Sequence, residues 1–207
     1  MPRNRTLRTT RTGAALLCAT GLVLLATGCD DDDAAVGGDS TPPPSSARPS
    51  AGGDKAVDAE AGKTLPLGQT TRLTYVRSDK KLTLEATAKS VRKGSQDDLS
   101  EVRLDAKERA LQPYYVTMSF KNIGDTTVAY PYLNTPTSLR DSRGESGKTL
   151  ITIGGEVEGC PAKDPDDFPK GATATLCQVV LLPKDETPSV VVYQSDFDKD
   201  PFYWKAS

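Results

Sequence analysis

The sequence predicts an all-β fold, a single antiparallel β-sandwich, on three observations. From about Leu65 onward apolar and polar residues alternate with period two in several short runs, the mark of half-buried strands. Gly, Pro, Asn and Asp gather between those runs, where turns need them. The stretch from there to Ser207 is about 140 residues, long enough to bury a real core. A small closed barrel is the other arrangement open to such a pattern.

The elements follow in chain order. Leu73-Thr74-Tyr75-Val76 is a short strand. Leu82, Leu84, Ala86 and Ala88 share one face of the next, with Thr83, Glu85, Thr87 and Lys89 on the other. Tyr114, Val116, Met118 and Phe120 alternate with Tyr115, Thr117, Ser119 and Lys121, and Asn122-Ile123-Gly124-Asp125 supplies the turn after them. Further strands are expected over Thr127–Leu133, Lys148–Ile153, Thr175–Leu182 and Val190–Gln194, with a turn at Asp141-Ser142-Arg143-Gly144. Phe202-Tyr203-Trp204 is expected to complete the core. The charged segment Gln96–Gln112 fits a short surface helix and an irregular connection equally well.

Ahead of this domain the composition changes twice. Arg3, Arg5, Arg8 and Arg11 form a basic start without acids, and Gly13–Ala26 is mostly apolar. Ala26-Thr27-Gly28 then places small residues before Cys29, as at the cleavage and lipid-attachment site of a bacterial lipoprotein. An apolar run of about 14 residues is too short for a spanning helix, which needs roughly 20. No two of these arginines are adjacent, so the general secretory route is expected. Residues 1–28 therefore read as a cleaved signal peptide. Residues 29–64 carry Asp30–Asp33 and then Ala, Gly, Ser, Thr and Pro with few large apolar groups, a disordered linker by composition. Such a spacer reaches about 30 Å on average and on the order of 100 Å when extended. Residues 65–207 form the folded domain.

Loss of the leader removes four arginines and no acids from a chain with 26 Lys+Arg and 28 Asp+Glu. The remainder holds 22 basic against 28 acidic residues, a net of −6. That balance excludes the basic footprint of a nucleic-acid binder and gives no broad attraction to anionic lipid. Of the four cysteines, Cys18 lies in the leader and Cys29 is the expected lipid carrier. Cys160 and Cys177 remain, an even pair in an exported chain, and are expected to form a disulfide.

Three groups of residues carry a family resemblance. The strand and turn Pro113–Asp125 come first, then Cys160-Pro161, Phe168-Pro169-Lys170-Gly171, Cys177 and Leu181-Leu182-Pro183-Lys184 in order, then the late Trp204. Together they resemble a group of actinobacterial secreted lipoproteins with an immunoglobulin-like domain of unassigned function. The resemblance implies an immunoglobulin-like sandwich, the Cys160–Cys177 disulfide and placement at the cell surface. It implies no active site.

The chain contains no histidine. Ser-His-Asp and Cys-His catalysis and imidazole metal sites are thereby excluded, and no phosphate-binding loop or dinucleotide fingerprint is present. Nothing titrates near neutral pH at its ordinary value. Asp196-Phe197-Asp198-Lys199-Asp200 has the alternating carboxylates of a calcium loop but Pro201 where the glycine belongs, so a surface loop is expected. Asp164-Pro165-Asp166-Asp167 is a second acidic cluster, inside the Cys160–Cys177 loop. No cofactor or metal is expected. Tyr130-Pro131-Tyr132 is the candidate recognition surface, since on a strand Tyr130 and Tyr132 share a face. With aromatic residues at 6% of the chain, the core is the expected place for that face, leaving Pro131 outside. The functional expectation is a non-catalytic binding module, not an enzyme. It would be held by its lipid on the extracytoplasmic face of the cell membrane and engage an envelope protein or wall polymer. The alternatives are a carboxylate-dependent envelope hydrolase and an ion- or small-molecule-binding accessory protein of a transporter.

Overall fold

The computed structural model describes residues 56–151 and 157–206. The leader, Cys29 and the first part of the linker lie outside the described residues, as do the last positions of the expected Lys148–Ile153 strand. The fold is all-β, two sheets packed face to face as a β-sandwich. One sheet runs in the order β2 (Thr70–Arg77), β3 (Lys80–Lys93), β4 (Gln112–Asn122), β9 (Thr173–Leu182), β7 (Lys148–Thr149). The other runs β1 (Thr64–Leu65), β11 (Phe202–Lys205), β10 (Pro188–Tyr193), β6 (Thr137–Asp141). A small pair, β5 (Val128–Ala129) with β8 (Asp167–Phe168), lies apart from both. Every pairing of these strands is antiparallel except β1 with β11.

The alternating residues do what their period requires. Leu82, Leu84, Ala86 and Ala88 of β3 and Tyr114, Val116, Met118 and Phe120 of β4 enter the inner core, meeting Leu139, Val191, Tyr193 and Trp204 from the second sheet. Small residues sit opposite large ones: Ala86 pairs with Phe120 and Ala88 with Met118. Each large side chain buried there is worth about 1.5–3 kcal/mol. The register of β3 on β4 shifts between Ala88 and Ser90, leaving Lys89 as an extra residue. A bulge of this kind reverses the facing of the residues beyond it. Val91, at an odd position, accordingly packs inward beside the even-numbered residues before it. Trp204 is fully buried and its indole Nε1 donates to the Gln69 carbonyl at 2.8 Å, completing the core as expected.

A second core covers the outer face of the larger sheet. Tyr115, Cys177, Val179 and Leu181 point away from the inner core and meet Leu99, Leu104, Leu150 and Val157. The segment between β3 and β4 supplies much of this cover: a 3-10 turn at Asp97–Leu99, then α1 (Ala106–Arg109), so the helical reading of Gln96–Gln112 holds in two short pieces. Asp105 caps α1 by accepting the Glu108 amide at 2.8 Å, while Glu108 accepts the Asp105 amide at 2.7 Å, a complete capping box. Tyr115 is the post of this layer. Its hydroxyl donates to Asp98 at 2.9 Å, Arg92 lies 4.5 Å over its ring, and Gly94 presses against it. A Cβ at Gly94 would stand 2.4 Å from that ring. With both faces covered, β9 has no polar face to show, and Leu176-Cys177-Gln178-Val179-Val180-Leu181-Leu182 is almost continuously apolar for that reason.

Four features depart from the sequence expectations. The folded unit begins ahead of Leu65, because Val57 already bridges Thr71 and its carbonyl accepts the Thr71 hydroxyl at 3.1 Å. β6 is a strand the sequence pattern does not announce: its inward positions Thr137 and Asp141 are polar, so Leu139 alone marks it. The Lys148–Ile153 strand shortens to Lys148–Thr149 among the described residues. The Thr127–Leu133 strand stops at Ala129.

Candidate functional site

That last correction builds the site. Pro131 has no amide to give a sheet ladder, and the chain leaves the β5–β8 pair immediately before it. The Tyr130 amide makes a final bond, donating to Asp166 O at 2.7 Å. Tyr130 and Tyr132 then take positive φ angles of 48° and 51°, a region that costs a non-glycine residue about 1–3 kcal/mol. Two residues in left-handed backbone do not share a strand face. The inward packing expected of them is overturned as well: Tyr130 is 60% exposed and Tyr132 46%, while Pro131 between them is buried.

The surroundings hold this shape in place. The buried Tyr75 hydroxyl donates to the Pro131 carbonyl, and the Tyr193 hydroxyl donates to Leu133 O at 3.1 Å. Asp164 Oδ1 accepts the Leu133 amide at 2.6 Å, and Asn134 Nδ2 donates to Cys177 O at 2.8 Å. Burial pushes the Tyr75 phenol up to about 12 and that of Tyr193 well above its ordinary 10, so both stay protonated donors at neutral pH. Arg77 caps one side of Tyr132, its guanidinium carbon 4.4 Å from the ring centroid.

The loop borders a cleft of about 750 Å³, within the range of small-molecule sites. It lies where the sheet edges β6 and β7 part, with contributions from Gln178 of β9 and from Phe197 after β10. Five large apolar side chains are exposed among the described residues, and four of them line this cleft: Tyr130, Tyr132, Ile151 and Phe197, the last 91% exposed. Such gathering marks a contact surface more than chance scatter does. The polar lining is chiefly short and uncharged: Thr135, Ser138, Thr149 and Gln194. Asn134 and Thr137 are 5% and 2% exposed, and Asn134 Oδ1 and Thr137 Oγ1 have no hydrogen-bond partner among the described residues. Asp164 is the one charged residue among the described residues of the lining, and no described lysine or arginine belongs to it. Burial raises the Asp164 carboxyl above its ordinary 3.8 against the opposing pull of the Leu133 and Asn134 amides. A smaller hollow of about 380 Å³ adjoins, sharing Tyr132, Thr135, Pro136, Gln194 and Phe197 and lined also by Arg77.

Cys160 and Cys177 form the disulfide, with Cα atoms 4.9 Å apart. Unlike the bridge of antibody domains, it does not cross between the sheets; it belongs to the outer core. The loop it closes carries Ala162, Asp164 and Pro165, which form part of the cleft. The two acidic clusters are put to other uses. Asp164 holds the Tyr-Pro-Tyr loop, Asp167 stands in β8, and Asp196 accepts the Asp198 amide at 3.1 Å. Among the described residues no group of three or more carboxylates or cysteines is placed to hold a metal ion. No described helix is long and apolar enough to cross a membrane.

Asn134, Thr137 and Phe197 join the site without having been expected there from the sequence. The available signal is the pair of prolines in Tyr130-Pro131-Tyr132-Leu133-Asn134-Thr135-Pro136, which argues against a strand and for a shaped loop.

No family model matches this chain, and no curated protein matches it. Among solved structures it is similar to the yjhA protein from Bacillus subtilis, at 15% identity over 70% of this chain and 100% of that one, with a TM-score of 0.45. An uncharacterised β-sandwich protein from Clostridium difficile is 11% identical over 75% of this chain and 98% of its own, with a TM-score of 0.40. A conserved hypothetical protein from Bacillus anthracis is 15% identical over 70% and 99%, also at 0.40. Likenesses at this level carry no functional argument.

Proposed function

We propose that the chain is an extracytoplasmic lipoprotein of the cell envelope, anchored through Cys29, whose sandwich is a non-catalytic binding module for a wall polymer or an envelope protein. The observation that supports the binding role is the cleft, where four exposed apolar side chains converge on a strained and firmly held Tyr-Pro-Tyr loop. A surface for recognition needs side chains that are exposed yet already ordered, because ordering them on binding costs about 0.5–1.5 kcal/mol each. A hydrolase of the two-carboxylate type would need a facing pair of acids. Among the described residues the cleft offers Asp164 alone. The anchoring half of the proposal rests on the leader and Cys29.

Metabolic labelling with a fatty-acid probe tests the anchor. The wild-type chain is expected to take up label and sediment with membranes, and Cys29→Ser to lose the label and enter the medium. Unchanged membrane retention of Cys29→Ser would falsify the anchor. For the binding role, crosslinking on intact cells from a photoreactive group at Tyr130 is expected to trap envelope material, and a clean negative from that position removes the cleft from the proposal.

A further inference from the structure

We infer that the cleft is a saccharide-binding site, taking an uncharged sugar chain against Tyr130, Tyr132 and Phe197; this rests on the binding-module reading above. A pyranose has an apolar C–H face and an equatorial rim of hydroxyls. A site for it therefore needs aromatic rings next to short polar groups, with few charges, and the lining has this composition. Both tyrosine rings are exposed on a loop whose backbone is fixed by its bonds to Tyr75 and Asp164, and the Tyr132 ring is further held on one side by the Arg77 guanidinium, so stacking on Tyr132 costs little ordering.

The hydrogen-bonding inventory points the same way. Asn134 Oδ1 can only accept, the Asp164 carboxylate when ionised can only accept, and Thr137 Oγ1 can do either. The first and last of these have no partner among the described residues, although both residues are more than nine-tenths buried and belong to the lining of the cleft. Buried polar atoms without partners are uncommon and destabilising; each of these two exposes less than 1 Å², so a ligand hydroxyl supplies the missing donor by displacing the lining slightly as it enters. Phosphate-bearing and other anionic ligands fit less well: no described lysine or arginine lines the cleft itself, Arg77 lies in the adjoining hollow with its guanidinium engaged on the Tyr132 ring, and Asp164 would repel them. A purely apolar ligand would leave these two atoms unpaired.

The test titrates the full chain with chitotetraose and with cellotetraose by calorimetry, alongside co-sedimentation with purified insoluble cell-wall polysaccharide. Saturable binding to at least one of these is expected. Tyr132→Ala should weaken it about tenfold, the loss of one stacking ring. Thr137→Val is the sharper variant. It removes a hydroxyl that no described residue uses, so the melting temperature should hold or rise while affinity falls about three- to tenfold. A purely structural Thr137 would give the reverse, lower stability and unchanged affinity, and that result overturns the proposal. So does the absence of binding to all three probes at ~1 mM, or trapping of only protein by the Tyr130 crosslinker. The last outcome leaves the binding module standing and removes the sugar, and the Cys29→Ser fractionation is read independently of either.

Discussion

Asn122 joins three pieces of chain through one buried side chain. Its Nδ2 donates to Thr126 O and to Phe168 O, both at 2.9 Å, and its Oδ1 accepts the Gly124 amide at 3.0 Å. The turn after β4 and the strand β8 are thereby fixed to one another. Asn122→Ala leaves two carbonyls and an amide without this partner and should cost about 2–3 kcal/mol in urea unfolding; a loss under a few tenths would mean that water replaces the amide freely. Two aspartates respond to pH in opposite directions. Burial alone would raise Asp141, but the amides of Glu145 and Arg143 and the Arg143 guanidinium outweigh it and hold its carboxyl below 3.8. Its contribution to stability is therefore complete above 3.8 and is lost as pH falls through its lower folded-state value. Asp164 lies above 3.8, so its ionisation weakens the folded state at neutral pH, and acidification through its folded-state value restores that stability. Asp164→Asn keeps an acceptor for the Leu133 amide and removes the charge. Urea unfolding across a pH series should find it as stable as wild type or more so at pH 7, with a flatter profile just above 3.8. A variant less stable at neutral pH would mean that the carboxylate charge itself holds the loop.

At the level of elements, the outer core explains why some segments can be read from sequence and others cannot. β3 and β4 show clean alternation because one face meets the inner core and the other is at least partly polar. α1 has only four residues and no buried side chain, so periodicity says nothing about it; its signature is the Asp105–Glu108 box. β6 hides its inward face in Thr137 and Asp141. The cleft loop imitates a strand because Val128, Tyr130 and Tyr132 alternate like one, and the proline between the tyrosines carries the contrary information. The disulfide ties the elements of this outer layer together. Cys177 sits in mid-β9, and its amide donates to Pro161 O at 2.7 Å, next to the partner cysteine. Opening a loop of this length should cost about 3 kcal/mol, or roughly 6–12 °C in a domain of this size. The Cys160→Ser/Cys177→Ser pair, followed by calorimetry, is expected to melt that much lower. Because the same loop presents Asp164 to Leu133, hydrogen exchange should also quicken at the Leu133 and Asn134 amides while the centre of β4 stays protected. Uniform loss of protection would instead mark the bridge as a support of the whole sandwich.

For the molecule as a whole, class and core can be read from spacing, because burial of alternate residues imposes a period of two. The cleft cannot, since it depends on where β6 and β7 end and on two backbone angles that no local pattern announces. The route by which the chain enters the sandwich governs its response to force. The first described strand, β1, lies parallel to β11 at the margin of one sheet, and just before it Val57 grips β2 at the margin of the other through the bonds Val57 N to Thr70 O and Arg72 N to Val57 O. A mechanical load entering from the N-terminal side meets those clasps in turn, Val57 first and the two residues of β1 next. Both clasps lie at sheet margins opposite β6 and β7, so a pull from the N-terminal side is expected to reach the edges that shape the cleft last.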